Sequence, residues 1–95
     1  AYKHVAEIGY WLGEAYWGKG VASEAVRLLC DFAFNEMDIL KINIEALEDN
    51  LASRRVAEKN GFELEYTKKK HAFKDGIYKN MVCYSKFSDI LKNKE

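Results

Sequence analysis

Apolar and polar positions along the chain switch back and forth between strand-like and helix-like periods, and that order predicts the elements. Ala6, Ile8, Tyr10 and Leu12 alternate with Glu7, Gly9 and Trp11, the pattern of a strand with one buried face, and Gly13 ends it. From Val21 to about Phe34, the residues Ala22, Ala25, Val26, Leu29 and Ala33 recur at helical spacing, while Glu24, Arg27 and Asp31 fall on the opposite side. Ile42, Ile44 and Ala46 then alternate with Lys41, Asn43 and Glu45 in a second strand over Lys41–Leu47, closed by the polar turn Glu48-Asp49-Asn50. Asn50 is suited to cap a short helix that carries Ala52 and Val56 inward and stops at Asn60-Gly61, where glycine takes the left-handed position. Phe62, Leu64 and Tyr66 restart a strand, and Asp75-Gly76 predicts the turn into a last strand from Ile77 to Ser85.

The sum is an α/β (α+β) unit of about four mixed strands with two helices, over residues 1–85. A polar tail, residues 86–95, ends as a frayed helix. At 95 residues and 48% hydrophobic, the chain supports one modest core. A net charge of zero gives no global field for nucleic acid, so nucleic acid is not an expected partner; Lys68, Lys69 and Lys70 form the only cationic run. No stretch approaches the roughly 18 apolar residues of a membrane span, and no signal peptide opens the chain, which leads to an expectation of a soluble, cytoplasmic protein without a membrane partner. Cys30, Cys83, His4 and His71 lack metal-ligand spacing, so no metal is expected and both cysteines read as small buried hydrophobes.

Candidate chemistry gathers in Trp17-Gly18-Lys19-Gly20-Val21-Ala22, between a strand and a helix. There the glycines let backbone approach an anion, and the helix start offers free N–H groups and the positive end of its dipole. An ordinary strand-to-helix turn is the alternative. Gly13, Gly18 and Lys19 fit the opening of a nucleotide-binding P-loop, but Gly20 stands where a magnesium-binding hydroxyl is needed. The dinucleotide fingerprint fails at Ser23, where it requires glycine.

The remaining glycine loop is that of acetyl-coenzyme A enzymes. Glu7-Ile8-Gly9-Tyr10-Trp11-Leu12, the Trp17–Ala22 loop, Asn50 with Ser53, Val56-Ala57-Glu58-Lys59-Asn60-Gly61-Phe62, Asp75-Gly76-Ile77-Tyr78 and Val82-Cys83-Tyr84-Ser85 together resemble the GCN5-related N-acetyltransferases. The likeness is strongest to their ribosomal-protein alanine acetyltransferase branch and covers the C-terminal half of the family's domain. Trp17 departs from the Gln or Arg that the motif prefers, and Ala57 stands where many relatives carry an acidic tyrosine.

The resemblance implies transfer of acetyl from acetyl-CoA, without metal, to a primary amine of a protein N-terminus, peptide or small molecule. The alternative is an inactive coenzyme-A-binding module that oligomerises. It further implies that Gly18, Lys19, Gly20, Val21 and Ala22 hold the pyrophosphate, that Trp11, Leu12 and Asn50 contact the pantetheine arm, and that Ser53 both binds the cofactor and protonates the departing thiolate. Arg54, Arg55 and Lys59 either reach the adenosine phosphate or are exposed cations. Glu7, Glu45 and His71 are the titratable residues near the expected cleft, with none assigned as base. A homo-oligomer through the exposed edge of the first strand is expected.

Overall fold

A parallel strand pair can be joined only through a crossover, and a helix supplies it here. The computed structural model describes residues 4–8 and 20–92; Tyr10 to Lys19, including Trp11, Leu12, Gly18 and Lys19, lie outside the described residues. The elements are β1 (Val5–Ile8), α1 (Val21–Glu36), β2 (Lys41–Leu47), α2 (Leu51–Lys59), β3 (Glu63–Lys74), β4 (Ile77–Phe87) and the short α3 (Asp89–Lys92). They form one four-stranded mixed sheet in the order β1-β2-β4-β3, with β1 parallel to β2 and the other pairs antiparallel. The mixed α/β architecture expected above is therefore the one observed.

Alternation in the strands sorts the sheet into two unlike faces. Ile42, Ile44 and Ala46 of β2, Val82 and Tyr84 of β4, and Ala6 and Ile8 of β1 join Ala22, Val26 and Cys30 of α1 and Val56 and Ala57 of α2 in one core. The other face sets buried Leu47, Met81 and Cys83 beside polar side chains that are paired. Lys41 Nζ lies 3.0 Å from Glu65 Oε1, Ser85 Oγ is 2.8 Å from Glu65 Oε1 and 2.9 Å from Asn43 Oδ1, and Lys68 Nζ is 2.5 Å from Glu45 Oε2.

The buried line of α1 departs from the expected one at Leu29. Ala22, Val26 and Cys30 are buried, whereas Leu29 is 39% exposed and Leu28 and Phe32 more so. Small side chains let the helix lie close on the sheet along the first line, and this turns Leu28, Leu29 and Phe32 toward its flank. The expected polar side is correct, with Arg27 bridging Glu24 and Asp31 along the helix. At the other end β4 continues two residues beyond Ser85, because Lys86 and Phe87 pair with Ile42 and Lys41. Ser88 is buried there and its N–H donates to the Leu40 carbonyl.

Candidate functional site

The position of the two helix starts follows from connectivity. α1 ends at the entrance to β2, where the Leu40 and Lys41 N–H groups donate to the His4 carbonyl, so its first turn lies toward the C-terminal end of the strands. α2 begins directly off that end of β2, since the Asn50 N–H donates back to the Leu47 carbonyl at 2.9 Å. Crevices beyond the carboxyl ends of parallel strands are where α/β sheets bind ligands.

The start of α1 is open. Its N-cap, Gly20, has φ +77°, a left-handed conformation that L side chains rarely adopt, and among the described residues no side chain caps the helix. The first intrahelical bond runs from Glu24 N to Gly20 O at 3.1 Å, leaving the N–H groups of Val21, Ala22 and Ser23 at the end of the helix dipole. A Cβ at Gly20 would meet nothing within 4 Å, so conformation rather than crowding selects glycine here. The start of α2 is closed by its own sequence. Asn50 Oδ1 accepts from Ser53 N at 3.2 Å, as the capping pattern predicts. Ser53 is half-buried, and among the described residues its hydroxyl has no hydrogen-bond partner.

Asn60 connects the two starts, and the sequence reading used it only as a helix stop. Its Nδ2 donates to the Ser23 carbonyl at 3.1 Å, to Ser23 Oγ at 3.3 Å and to the Val56 carbonyl at 3.0 Å, while the residue is only 9% exposed. The first turn of α1 is thereby strapped to the last turn of α2. Along the axis of α2, Ser53 lies on the order of 10 Å from Asn60 at 1.5 Å per residue.

Arg54 corrects an expectation. It is turned inward, with Nε donating to Tyr84 Oη at 3.0 Å and Nη1 to the Glu48 carbonyl at 2.8 Å, while Tyr84 Oη donates to Glu58 Oε2 at 3.0 Å. This chain locks α2 onto β4. The buried tyrosine is the signal that it needs a polar partner. Arg55 and Lys59 lie on the exposed side of α2 and α1-facing positions are apolar or polar uncharged.

The three titratable candidates are scattered. Glu7 is in register with Asn43, and Glu45 is tied to Lys68, so both lie on the face turned away from the helices; His71 sits exposed on β3. The Lys41 ammonium and the Ser85 hydroxyl hold the Glu65 carboxyl below its ordinary range, and burial pushes both cysteine thiols up. Among the described residues, no three His, Cys, Asp or Glu side chains come together as a metal site, and no helix is long and apolar enough to cross a membrane.

Comparison with known proteins bears on the sequence and the fold. The family model of the acetyltransferase (GNAT) domain matches residues 1–63. The chain is 41% identical over 75 residues to the probable N-acetyltransferase YjcK of Bacillus subtilis, covering 79% of this chain and 41% of the relative. It is 34% identical over 84 residues to the ribosomal-protein-serine acetyltransferase of Escherichia coli, covering 88% and 47%. Among solved structures, RimL, a ribosomal alpha-N-protein acetyltransferase in complex with coenzyme A, superposes with a TM-score of 0.79 at 34% identity, over 88% of this chain and 48% of that one. The chain thus spans less than half the length of these relatives. By this match over residues 1–63 and these relatives, the chain belongs to the GNAT acetyltransferase family.

Proposed function

We propose that the protein is an acetyl-CoA-dependent N-acetyltransferase working in the cytoplasm, with the primary amine of a protein N-terminus, a peptide or a small molecule as acceptor. The observation that supports this reading is the Asn60 strap, which ties the open first turn of α1 to the helix that bears Ser53. Coenzyme A has the matching form, a pyrophosphate joined to a distant thioester by an extended arm. The N–H groups of Val21 and Ala22, with Gly18, Lys19 and Gly20, would hold the pyrophosphate. Asn50, Trp11 and Leu12 would line the arm.

In the reaction a neutral amine attacks the thioester carbonyl, forming the C–N bond and an oxyanion. Collapse of that intermediate breaks the C–S bond and expels the coenzyme thiolate; the attacking nitrogen releases one proton to water, which replaces the proton that the thiolate takes from its donor. The Ser53 hydroxyl, unpartnered among the described residues and at the start of α2, would supply that proton. Ser53→Ala is expected to lower turnover about a hundredfold while acetyl-CoA affinity measured by calorimetry stays within about twofold. Unchanged turnover in a thiol-release assay removes Ser53 from the mechanism.

The second reading is a coenzyme-A-binding module that pairs with another copy without chemistry. It is favoured by the position of β1 at the sheet edge, bonded only to β2 among the described strands. Acetyl-CoA binding without thiol release, with a dimer in light scattering, supports the module. A monomer that turns over supports the enzyme.

A further inference from the structure

A cavity of about 390 Å³ lies between the later turns of α1 and the end of β4. Its lining includes Asp31, Phe34 and Asn35 of α1, Lys86 near the end of β4, and Asp89 and Ile90 of α3. The volume falls in the roughly 300–1,000 Å³ range of small-molecule pockets. Along the axis of α1, Asp31 is on the order of 16 Å from Gly20 at 1.5 Å per residue, so the cavity is separate from the open helix start. Backbone bonds fix its β4 side. The Ser88 N–H donates to the Leu40 carbonyl at 2.9 Å, the Ile90 N–H donates to Ser88 Oγ at 3.3 Å, and the Leu91 N–H donates to the Ser88 carbonyl at 3.0 Å.

Lys86 is the group that the fold leaves unserved. It is in register with the buried Ile42, so its side chain leaves the sheet on the face that the helices cover. Its Cε and Nζ come within 3.8 and 3.9 Å of the place where a Cβ on Gly61 would stand. Half-buried there, the ammonium makes no ion pair or hydrogen bond among the described residues. A charge removed from water without a counter-ion is costly, and a ligand carboxylate would serve it. The same cavity is lined by two carboxylates. Asp31 Oδ2 is 3.1 Å from Arg27 Nη1, but Arg27 also pairs with Glu24, so two carboxylates share one guanidinium and a negative charge is left over. Asp89 adds a second carboxylate to the lining. Phe34, which packs against the core, and the exposed Ile90 supply apolar surface.

We propose that this cavity binds a small zwitterion with an apolar body, of the chemical class of a free α-amino acid. The ligand carboxylate pairs with Lys86, its ammonium with Asp31 and Asp89, and its side chain rests against Phe34 and Ile90. A simple anion would gain Lys86 but meet both carboxylates, and a simple cation would meet the reverse. A ligand that carries both charges satisfies the lining from both sides. The proposal stands independently of the acetyltransferase reading, because the residues assigned to the coenzyme are elsewhere on the fold.

Titration of L-phenylalanine into the isotope-labelled protein, followed through backbone amide NMR shifts, tests it. Saturable shifts are expected at Asn35, Lys86 and Ile90, with none at Val21, Ala22 or Ser53. Phenylpropionate, which lacks the ammonium, and phenethylamine, which lacks the carboxylate, should each bind about tenfold more weakly. Lys86→Gln should lower the affinity for L-phenylalanine about tenfold and Lys86→Arg should keep it. Combined Asp31→Asn and Asp89→Asn should bring it down to that of phenylpropionate. Absence of saturable shifts, shifts centred on the start of α1 or on Ser53, an analogue that binds as well as L-phenylalanine, or an affinity indifferent to Lys86→Gln overturns the proposal. The analogues are compared on the parent protein, so the outcome is decided even where a variant fails to fold.

Discussion

The two principal helices begin in opposite ways. α1 starts on a left-handed glycine with no side-chain cap, and α2 starts on an asparagine that caps its own first turn. A cap satisfies one of the orphan N–H groups that every helix start presents, so a chain optimised for stability alone would cap both. Leaving α1 uncapped forgoes about 1 kcal/mol and keeps its N–H groups free for an anion. The open start is the proposed ligand site and the closed one serves the fold, although Ser53 lies at the closed one.

Gly20→Val breaks the open start most severely. A β-branched residue at φ +77° costs on the order of 1–3 kcal/mol, read as a lowered midpoint in thermal unfolding. Asn60→Ala comes next, because it strands two acceptors on α1 and one on α2. It is expected to cost about 1–2 kcal/mol and to weaken acetyl-CoA binding severalfold, since the first turn of α1 loses its fixed distance from Ser53. Stability lost with affinity intact would make Asn60 purely structural. Asn50→Ala removes the cap of α2 and should cost about 1 kcal/mol in denaturant unfolding.

Helix starts of both kinds were legible in the sequence, but for different reasons. Asn50 with Ser53 three residues on, and Gly61 after Asn60, are local signals whose geometry is written in neighbouring residues. The alternation in Lys41–Leu47 and the Asp75-Gly76 turn are local in the same sense, and both elements stand where expected. The flank of α1 was not legible, because Leu29 and Cys30 both suit an apolar stripe and only the close approach of the sheet decides between them. Asn60 and Arg54 escaped for a similar reason, as their partners Ser23 and Tyr84 lie 37 and 30 residues away in sequence. The pyrophosphate loop was read by resemblance, and of its residues Gly20, Val21 and Ala22 fall where that reading puts them, at the start of α1.

The smallest effect separates the helix starts from the polar face of the sheet. Because Lys41 and Ser85 lower the Glu65 pKa in the folded state, the ionised carboxylate stabilises the fold fully above its unfolded value near 4.5, and that contribution is lost as pH falls through the lower folded value. With Glu65 about a third exposed, the loss amounts to a few tenths of a kcal/mol. Unfolding midpoints followed downward from pH 5 should drop less in Glu65→Gln than in the parent protein. Coenzyme affinity should be indifferent to that substitution, in contrast to substitutions at the start of α1.

Calorimetric titration of acetyl-CoA into the parent protein and into Gly20→Val, at a temperature where both are folded, bears most directly on the open helix start. The account predicts saturable one-to-one binding by the parent and at least a tenfold loss in the variant. No saturable heat in the parent, or equal affinity in both, would contradict it.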